Sequence, residues 1–140
     1  SKIDIWVRAP DLKGTAPETA NSASWLIISG PDVRYQVSNS QDITNFITDK
    51  YKVLTVPLHI WRELVLELKS PPSAGVLILA WLVHILGSPK TIKATGFQQQ
   101  AESNKRYHFA LDNHKASKRH NWQAERALLD KWKKLGLYFI

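Results

Sequence analysis

The 140-residue chain contains no cysteine. That single absence excludes a disulfide framework, a thiolate zinc site, an iron–sulfur cluster and a cysteine nucleophile, and it fits a reducing compartment. Long apolar runs are also missing. The longest, Val76 to Leu86, contains His84 and falls well short of the roughly 20 residues that span a bilayer. Ser1-Lys2-Ile3-Asp4 enters a strand-like run with no targeting pattern, so a soluble, cytoplasmic chain is expected. The sequence has no Gly-x-Gly-x-x-Gly, no Walker-type phosphate loop, no His-Glu-x-x-His and no Gly-x-Ser-x-Gly elbow. A dinucleotide site of the usual kind, a P-loop ATPase, a zinc protease and a serine hydrolase therefore lack their signatures.

What is present has the balance of a folded protein. Hydrophobic residues make up 44% and charged residues 22%, which excludes a disordered tail, a collagen and a polar linker. No linker or internal repeat is visible, so residues 1–140 read as one α/β domain. The formal net charge is +7, and most of it is local. Between Lys105 and Lys134 nine Lys and Arg face only Asp112, Glu125 and Asp130. Such a region favours anionic partners: phosphates, nucleotides, nucleic acid or an acidic membrane surface. A solvated basic helix face is the plainer account of the same cluster.

Hydrophobic spacing supplies the elements. Ile3 to Val7 alternates as a strand; residues 10 to 24 read as loop. Trp25 to Ile28, wholly apolar and stopped by Gly30-Pro31, reads as a buried parallel strand. Ser40 or Asp42 can cap a helix carrying Ile43, Phe46, Ile47 and Tyr51, and Val53 to Val56 is the next strand. Leu58–Leu68 and Val76–Leu86 have helical patterns, the second ended by Gly87 and Pro89. Thr91 to Thr95 alternates like a strand. A polar stretch at 98–118 contains a strand-like patch, Tyr107-His108-Phe109. A helix from about Asn121 to Leu135 stops at Gly136, and Leu137 to Ile140 closes as a strand. This alternation predicts an α/β fold with a mostly parallel sheet and flanking helices. Trp6, Trp25, Trp61 and Trp81 fall at core spacings, whereas Trp122 and Trp132 flank the basic helix, where an aromatic can stack a base or sugar ring or, more simply, pack under the helix.

Two junctions can carry chemistry. Pro72-Ser73-Ala74-Gly75 opens the apolar helix, where free N–H groups and Ser73 can bind a carboxylate or phosphate and Gly75 permits close approach. The same residues also make an ordinary helix cap. The second junction is His120-x4-Glu125 at the start of the last helix. The positive end of a helix disfavours an imidazolium, so an imidazole there is available as a general base near neutral pH. Glu125 can orient such a base or hold a substrate hydroxyl. The plainer alternative is a capping His120 with a solvent-exposed Glu125. His108, His114 and His120, spaced by six, match no usual zinc pattern, and no protein-bound metal is expected. His59 and His84, inside apolar helices, read as core or boundary residues.

The order of these segments resembles the C-terminal half of the family 29 sialyltransferases. The likeness covers about residues 70 to 140: Pro72-Ser73-x-Gly75, an apolar helix, a strand ending at Gly96-Phe97, the patch Arg106-Tyr107-His108-Phe109, then His120-x4-Glu125. These stand where the family has its small, third and very small sialylmotifs. The resemblance implies a Rossmann-like variant, here an incomplete glycosyltransferase domain, since the family's large sialylmotif would lie before Ser1. It implies inverting transfer of a sialic acid or related sugar from a CMP donor to a glycan hydroxyl, with the CMP-sugar as substrate and no cofactor. His120 would be the base, with Glu125 beside it in the catalytic motif. Ser73 and Gly75 would hold the donor's carboxylate or ribose–phosphate part, and Tyr107 or His108 would bind the departing phosphate.

Three positions depart from the family pattern. Ala74 replaces a second hydroxyl residue, the third motif leaves Arg106 and His108 as rival equivalents, and Leu86-Gly87-Ser88 stands where eukaryotic members have a cysteine. The last departure fits a bacterial or otherwise cytoplasmic homologue better than a Golgi enzyme. A lone C-terminal half can fold without catalysing transfer, and an incomplete sheet leaves an edge open to homo-oligomers. The alternative from a different class is a non-enzymatic basic module that binds nucleic acid or an anionic membrane surface through 105–134. A peripheral membrane contact is compatible with either reading, and nucleic acid ranks below the CMP-sugar as a partner.

Overall fold

The computed structural model describes residues 3–8, 22–29, 51–95, 97 and 119–140. The expected helix at Ile43, Phe46 and Ile47 lies outside this set. So do Gly96, Arg106 and the strand-like patch with its two site candidates, Tyr107 and His108. The chain divides into two compact units, Ser1–Leu58 and His59–Ile140.

The first unit is built on a parallel sheet of three strands in the order β1-β2-β3. These are β1 (Ile5–Arg8), β2 (Trp25–Ile28) and β3 (Lys52–Thr55). The register pairs Ile5, Trp25 and Lys52 along one row and Val7, Ile27 and Leu54 along another. Parallel neighbours need a crossover of a dozen or more residues, and the intervening stretches 9–24 and 29–51 are long enough. β2 is the central strand, and its Leu26, Ile27 and Ile28 are buried. An unbroken β-branched and leucine run suits a strand covered on both faces. The sheet's entry is tied by backbone bonds from the Ser24 and Trp25 N–H groups to the Asp4 carbonyl, 3.2 Å each, and from the Lys52 N–H to the Ser24 carbonyl, 2.9 Å. At the same end the Lys52 ammonium lies 5.0 Å from the centre of the Trp25 ring, a cation–π contact between strand neighbours.

Tyr51, expected as the last apolar residue of a helix, instead lies in extended chain just before β3 and packs on Trp6, ring centres 5.8 Å apart. Helical spacing alone could not exclude this, because an aromatic next to a strand serves the sheet equally well.

The second unit contains α1 (Leu58–Leu68, whose first residue closes the first unit), α2 (Ala74–Leu86), β4 (Lys93–Ala94), α3 (Trp122–Lys134) and β5 (Tyr138–Phe139). In α1 the buried residues are Ile60, Leu64 and Leu68, a four-residue repeat that gives one inward stripe. The first half of α2 differs: Val76, Leu77, Ile78 and Leu79 are buried in succession, so the helix is enclosed on all sides there. β4 and β5 form a parallel pair, Lys93 opposite Tyr138 and Ala94 opposite Phe139. With helices and parallel strands throughout the described residues, the coarse class is α/β.

Four of the tryptophans are placed differently from their spacing: Trp6, Trp25, Trp61 and Trp81 are only half-buried. Trp132 on α3 is buried, in keeping with packing under that helix. Apolar periodicity marks the face a residue is on but not how far an indole reaches out of it. His59 and His84 are exposed rather than core, and their rings meet edge to face with centres 5.9 Å apart.

Gly136 turns the chain from α3 into β5 with φ of +111°. A Cβ there would lie 2.9 Å from Lys90 Cγ and 3.3 Å from Lys90 Cα. Both the backbone angle and the approach of the Lys90 main chain require glycine. Gly136→Ala is expected to lower the unfolding free energy by about 2 kcal/mol, measured by urea denaturation. A Lys90→Ala background recovers only part of that loss, because the backbone angle remains.

Candidate functional site

The two junctions singled out by sequence come together in the second unit. Ser73 precedes α2 with an extended backbone, φ −67° and ψ 157°, and does not cap its own helix with its side chain. Its hydroxyl instead donates to Glu125 Oε2 and its N–H donates to Glu125 Oε1, both at 2.7 Å. Ser73 is 3% exposed and Glu125 1%. The anion held at the start of α2 is therefore the chain's own carboxylate, supplied from 52 residues away. This corrects the expectation of a solvent-exposed Glu125. It also gives Ser73's two donors a protein partner, where the sequence reading had offered them to a ligand.

Gly75 has a similar outcome. A Cβ at this position would lie 2.7 Å from Phe97 Cε1 and 2.8 Å from Cζ. The close approach that glycine allows is made by Phe97, which is braced by Phe139 with ring centres 5.5 Å apart. Ser73, Gly75, Phe97, His120 and Glu125 thus belong to one unit, and four of the five quoted motif segments meet around the start of α2.

The cap of α3 is Asn121, not His120. Asn121 Oδ1 accepts from the Ala124 N–H at 3.1 Å, the usual geometry of an asparagine N-cap. Asn121 also fastens α3 to the end of α1: its N–H donates to Ser70 Oγ at 2.9 Å and its Nδ2 donates to the Leu68 carbonyl at 3.0 Å. The chain leaves α1 through Lys69, a non-glycine residue in the left-handed region with φ of 57°, which presents Ser70 to this contact. Asn121 and Ser70 were missed as site-building residues. The available signal was asparagine directly ahead of a helical pattern, a preferred cap.

Because Asn121 takes the cap, His120 stands one residue outside the helix. Its Nδ1 is 2.7 Å from the Pro71 carbonyl oxygen. A carbonyl can only accept, so Nδ1 carries the hydrogen, and in the neutral ring the lone pair is on Nε2. The ring is half-buried and stands edge-on to Trp122, centres 5.0 Å apart. Tautomer and orientation are both fixed by the chain.

Glu125 lies in an unusual electrostatic position. Burial pushes its carboxyl up from the ordinary 4.5, opposed by the two Ser73 hydrogen bonds and by the proximity of His120. Because the folded-state value is raised, ionising Glu125 disfavours the fold. Its contribution to stability is greatest below pH 4.5 and declines as pH rises through the raised value.

Among the described residues no group of three or more His, Asp or Glu is placed to hold a metal ion, and no helix is long and apolar enough to cross a membrane. Among the described residues no buried side-chain nitrogen or oxygen lacks a hydrogen-bond partner.

Glu125→Ala is expected to cost about 3 kcal/mol, since it strands the buried Ser73 N–H as well as opening a cavity. Glu125→Gln keeps both contacts, with the amide donating to Ser73 Oγ and the hydroxyl reversing its role. Relative to wild type this variant gains stability as pH rises from about 4.5, the sense that follows from a raised carboxyl. Urea titrations of the three proteins between acid and neutral pH measure both effects.

Comparison with protein-family models, with curated proteins and with solved structures gives no match to this chain.

Proposed function

We propose that this chain carries the catalytic-base half of a sialyltransferase-like glycosyltransferase, on a Rossmann-like variant of the α/β fold, acting on a CMP-sugar donor and a glycan hydroxyl. The observation that supports it most is the pair of 2.7 Å bonds from Ser73 to Glu125. Two short motifs quoted for the resemblance, far apart in sequence, are joined through their own defining residues. An accidental likeness of spacing gives no reason for the serine of one to hold the glutamate of the other.

The reading assigns His120 Nε2 as the base. The acceptor hydroxyl gives its proton to Nε2 while its oxygen forms the new bond to the anomeric carbon from the face opposite the donor phosphate. The bond from that carbon to the phosphate oxygen breaks, and its electron pair leaves with CMP. As the imidazolium forms, the Nδ1–H to Pro71 carbonyl bond strengthens. Nearby Glu125, when ionised, favours the same charge, as its Coulombic coupling to His120 indicates.

In this scheme Ser73 and Gly75 act as architecture: the serine seats Glu125 and the glycine seats Phe97. Contact with the departing phosphate is left to Tyr107 and His108, carried over from the resemblance, and to the basic stretch from Lys105 onward. Fixed cations and oriented N–H groups can stabilise a phosphate leaving group.

Calorimetric titration with CMP, using AMP and UMP as controls, tests the reading. Selective binding of CMP is expected. In a transfer assay His120→Ala is expected to lose roughly 10²- to 10⁴-fold in rate, the usual scale for a general base, with CMP affinity essentially unchanged. Equal binding of all three nucleotides, or transfer that survives His120→Ala, counts against it.

A further inference from the structure

A second feature of the His59–Ile140 unit is independent of the candidate site. α2 ends at Gly87, which adopts the left-handed conformation with φ of 70°, and its last two side chains, Ile85 and Leu86, are 58% and 53% exposed. The chain then passes through Ser88-Pro89 to Lys90, whose backbone packs against Gly136 in the turn between α3 and β5. Leu135, immediately before that glycine, is 50% exposed. The segment that follows α2 therefore meets the turn that follows α3. Tyr138 and Ile140, in and after β5, are exposed as well, so five of the eight large apolar side chains exposed among the described residues belong to residues 85–86 and 135–140.

The charge at this end has one sign. Residues 84–95 and 131–140 contain Lys90, Lys93, Lys131, Lys133 and Lys134 and no Asp or Glu; the nearest acid on α3 is Asp130. All five lysines are exposed. Lys93 stands opposite the exposed Tyr138 in the β4–β5 register, and the ladder is held by the Tyr138 N–H on the Ile92 carbonyl and the Ile140 N–H on the Ala94 carbonyl. Complementing a helix dipole accounts for the three lysines in the last turn of α3. It does not account for Lys90 beyond α2, for Lys93 on a strand, or for the aliphatic side chains among them.

Exposed lysines together with exposed aliphatic side chains and a tyrosine match the layered chemistry of an anionic bilayer surface. Phosphate and carboxylate headgroups meet the ammonium groups, and the acyl boundary takes the apolar tips. Nucleic acid would use the lysines but has no use for Ile85, Leu86 and Leu135, since base stacking calls for aromatic faces. We propose that the segments just past α2 and α3, with the β4–β5 pair, form a peripheral docking surface for membranes rich in anionic lipid.

The test is co-flotation of the 140-residue chain with phosphatidylcholine vesicles and with vesicles in which about a third of the lipid is phosphatidylserine. Binding is expected only to the second, weakening as salt shortens the Debye length. Each lysine near an anionic surface contributes about fivefold, so Lys131→Gln/Lys133→Gln/Lys134→Gln is expected to lose about 100-fold. The matched triple Lys105→Gln/Lys115→Gln/Lys118→Gln is expected to lose at least about tenfold less. Ile85→Ser/Leu86→Ser, on side chains already in solvent, removes the binding that persists at raised salt. Circular dichroism spectra and thermal midpoints like wild type show that each variant is folded.

Four results overturn the proposal. They are no binding to anionic vesicles at low salt, equal binding to both vesicle types, equal losses in the two lysine triples, or a lysine-triple defect confined to a DNA duplex.

Discussion

A buried carboxylate that accepts two hydrogen bonds from one serine determines the rest of the second unit. Glu125 has little solvent to stabilise its charge, so Ser73 must be within reach through both its N–H and its hydroxyl. That requirement sets where α3 begins relative to α2. It also fixes the rotation of α3, because Glu125, Leu128 and Trp132 all lie on its buried face. An ion in such a place weighs against stability unless every lone pair is met. Here the arrangement is reinforced by purely structural contacts, Asn121 to the end of α1 and Phe97 over Gly75. The imidazole of His120 is then positioned by default: between a capped Asn121 and the Pro71 carbonyl it has one well-supported orientation.

Most of the elements were legible in the sequence, and the reasons differ from one to the next. β2 could be read because four consecutive apolar residues bounded by Gly-Pro have few alternatives to a buried strand. α1, α2 and α3 could be read because their spacing and stops agree within a residue or two with Leu58–Leu68, Ala74–Leu86 and Trp122–Lys134. Tyr51 was misread because one aromatic at helical spacing carries no information about the strand that follows it. The burial of Glu125 was not legible at all: a glutamate in the first turn of a basic helix is ordinarily a solvated residue that complements the helix dipole. Only the partner serine, distant in sequence, makes it otherwise. The placing of the cap at Asn121 and not His120 is a local matter that cap preference alone favours, and it is independent of the His-x4-Glu spacing.

The two surfaces proposed to act in the second unit are electrostatically unlike. Around the start of α2 one buried carboxyl, disfavoured as an ion by its burial, is held by two short hydrogen bonds from Ser73. Around the ends of α2 and α3 the charge is of one sign and fully hydrated. The first kind is insensitive to ionic strength and sensitive to a single substitution; the second is the reverse. Binding that involves both surfaces would therefore respond to salt and to point mutation in separable ways.

The distance along the chain between Ser73 and Glu125 bears on how the site comes into being. Contacts across some fifty residues require a large loop to close before they contribute anything, and such contacts form late. His120, Asn121 and Glu125 meet Pro71, Ser70 and Ser73 across nearly the same interval, so these three links close in one event. His120, its tautomer and Glu125 are then a single cooperative element. A local opening that frees the start of α3 releases all three together, leaving no partly assembled site with a misdirected imidazole.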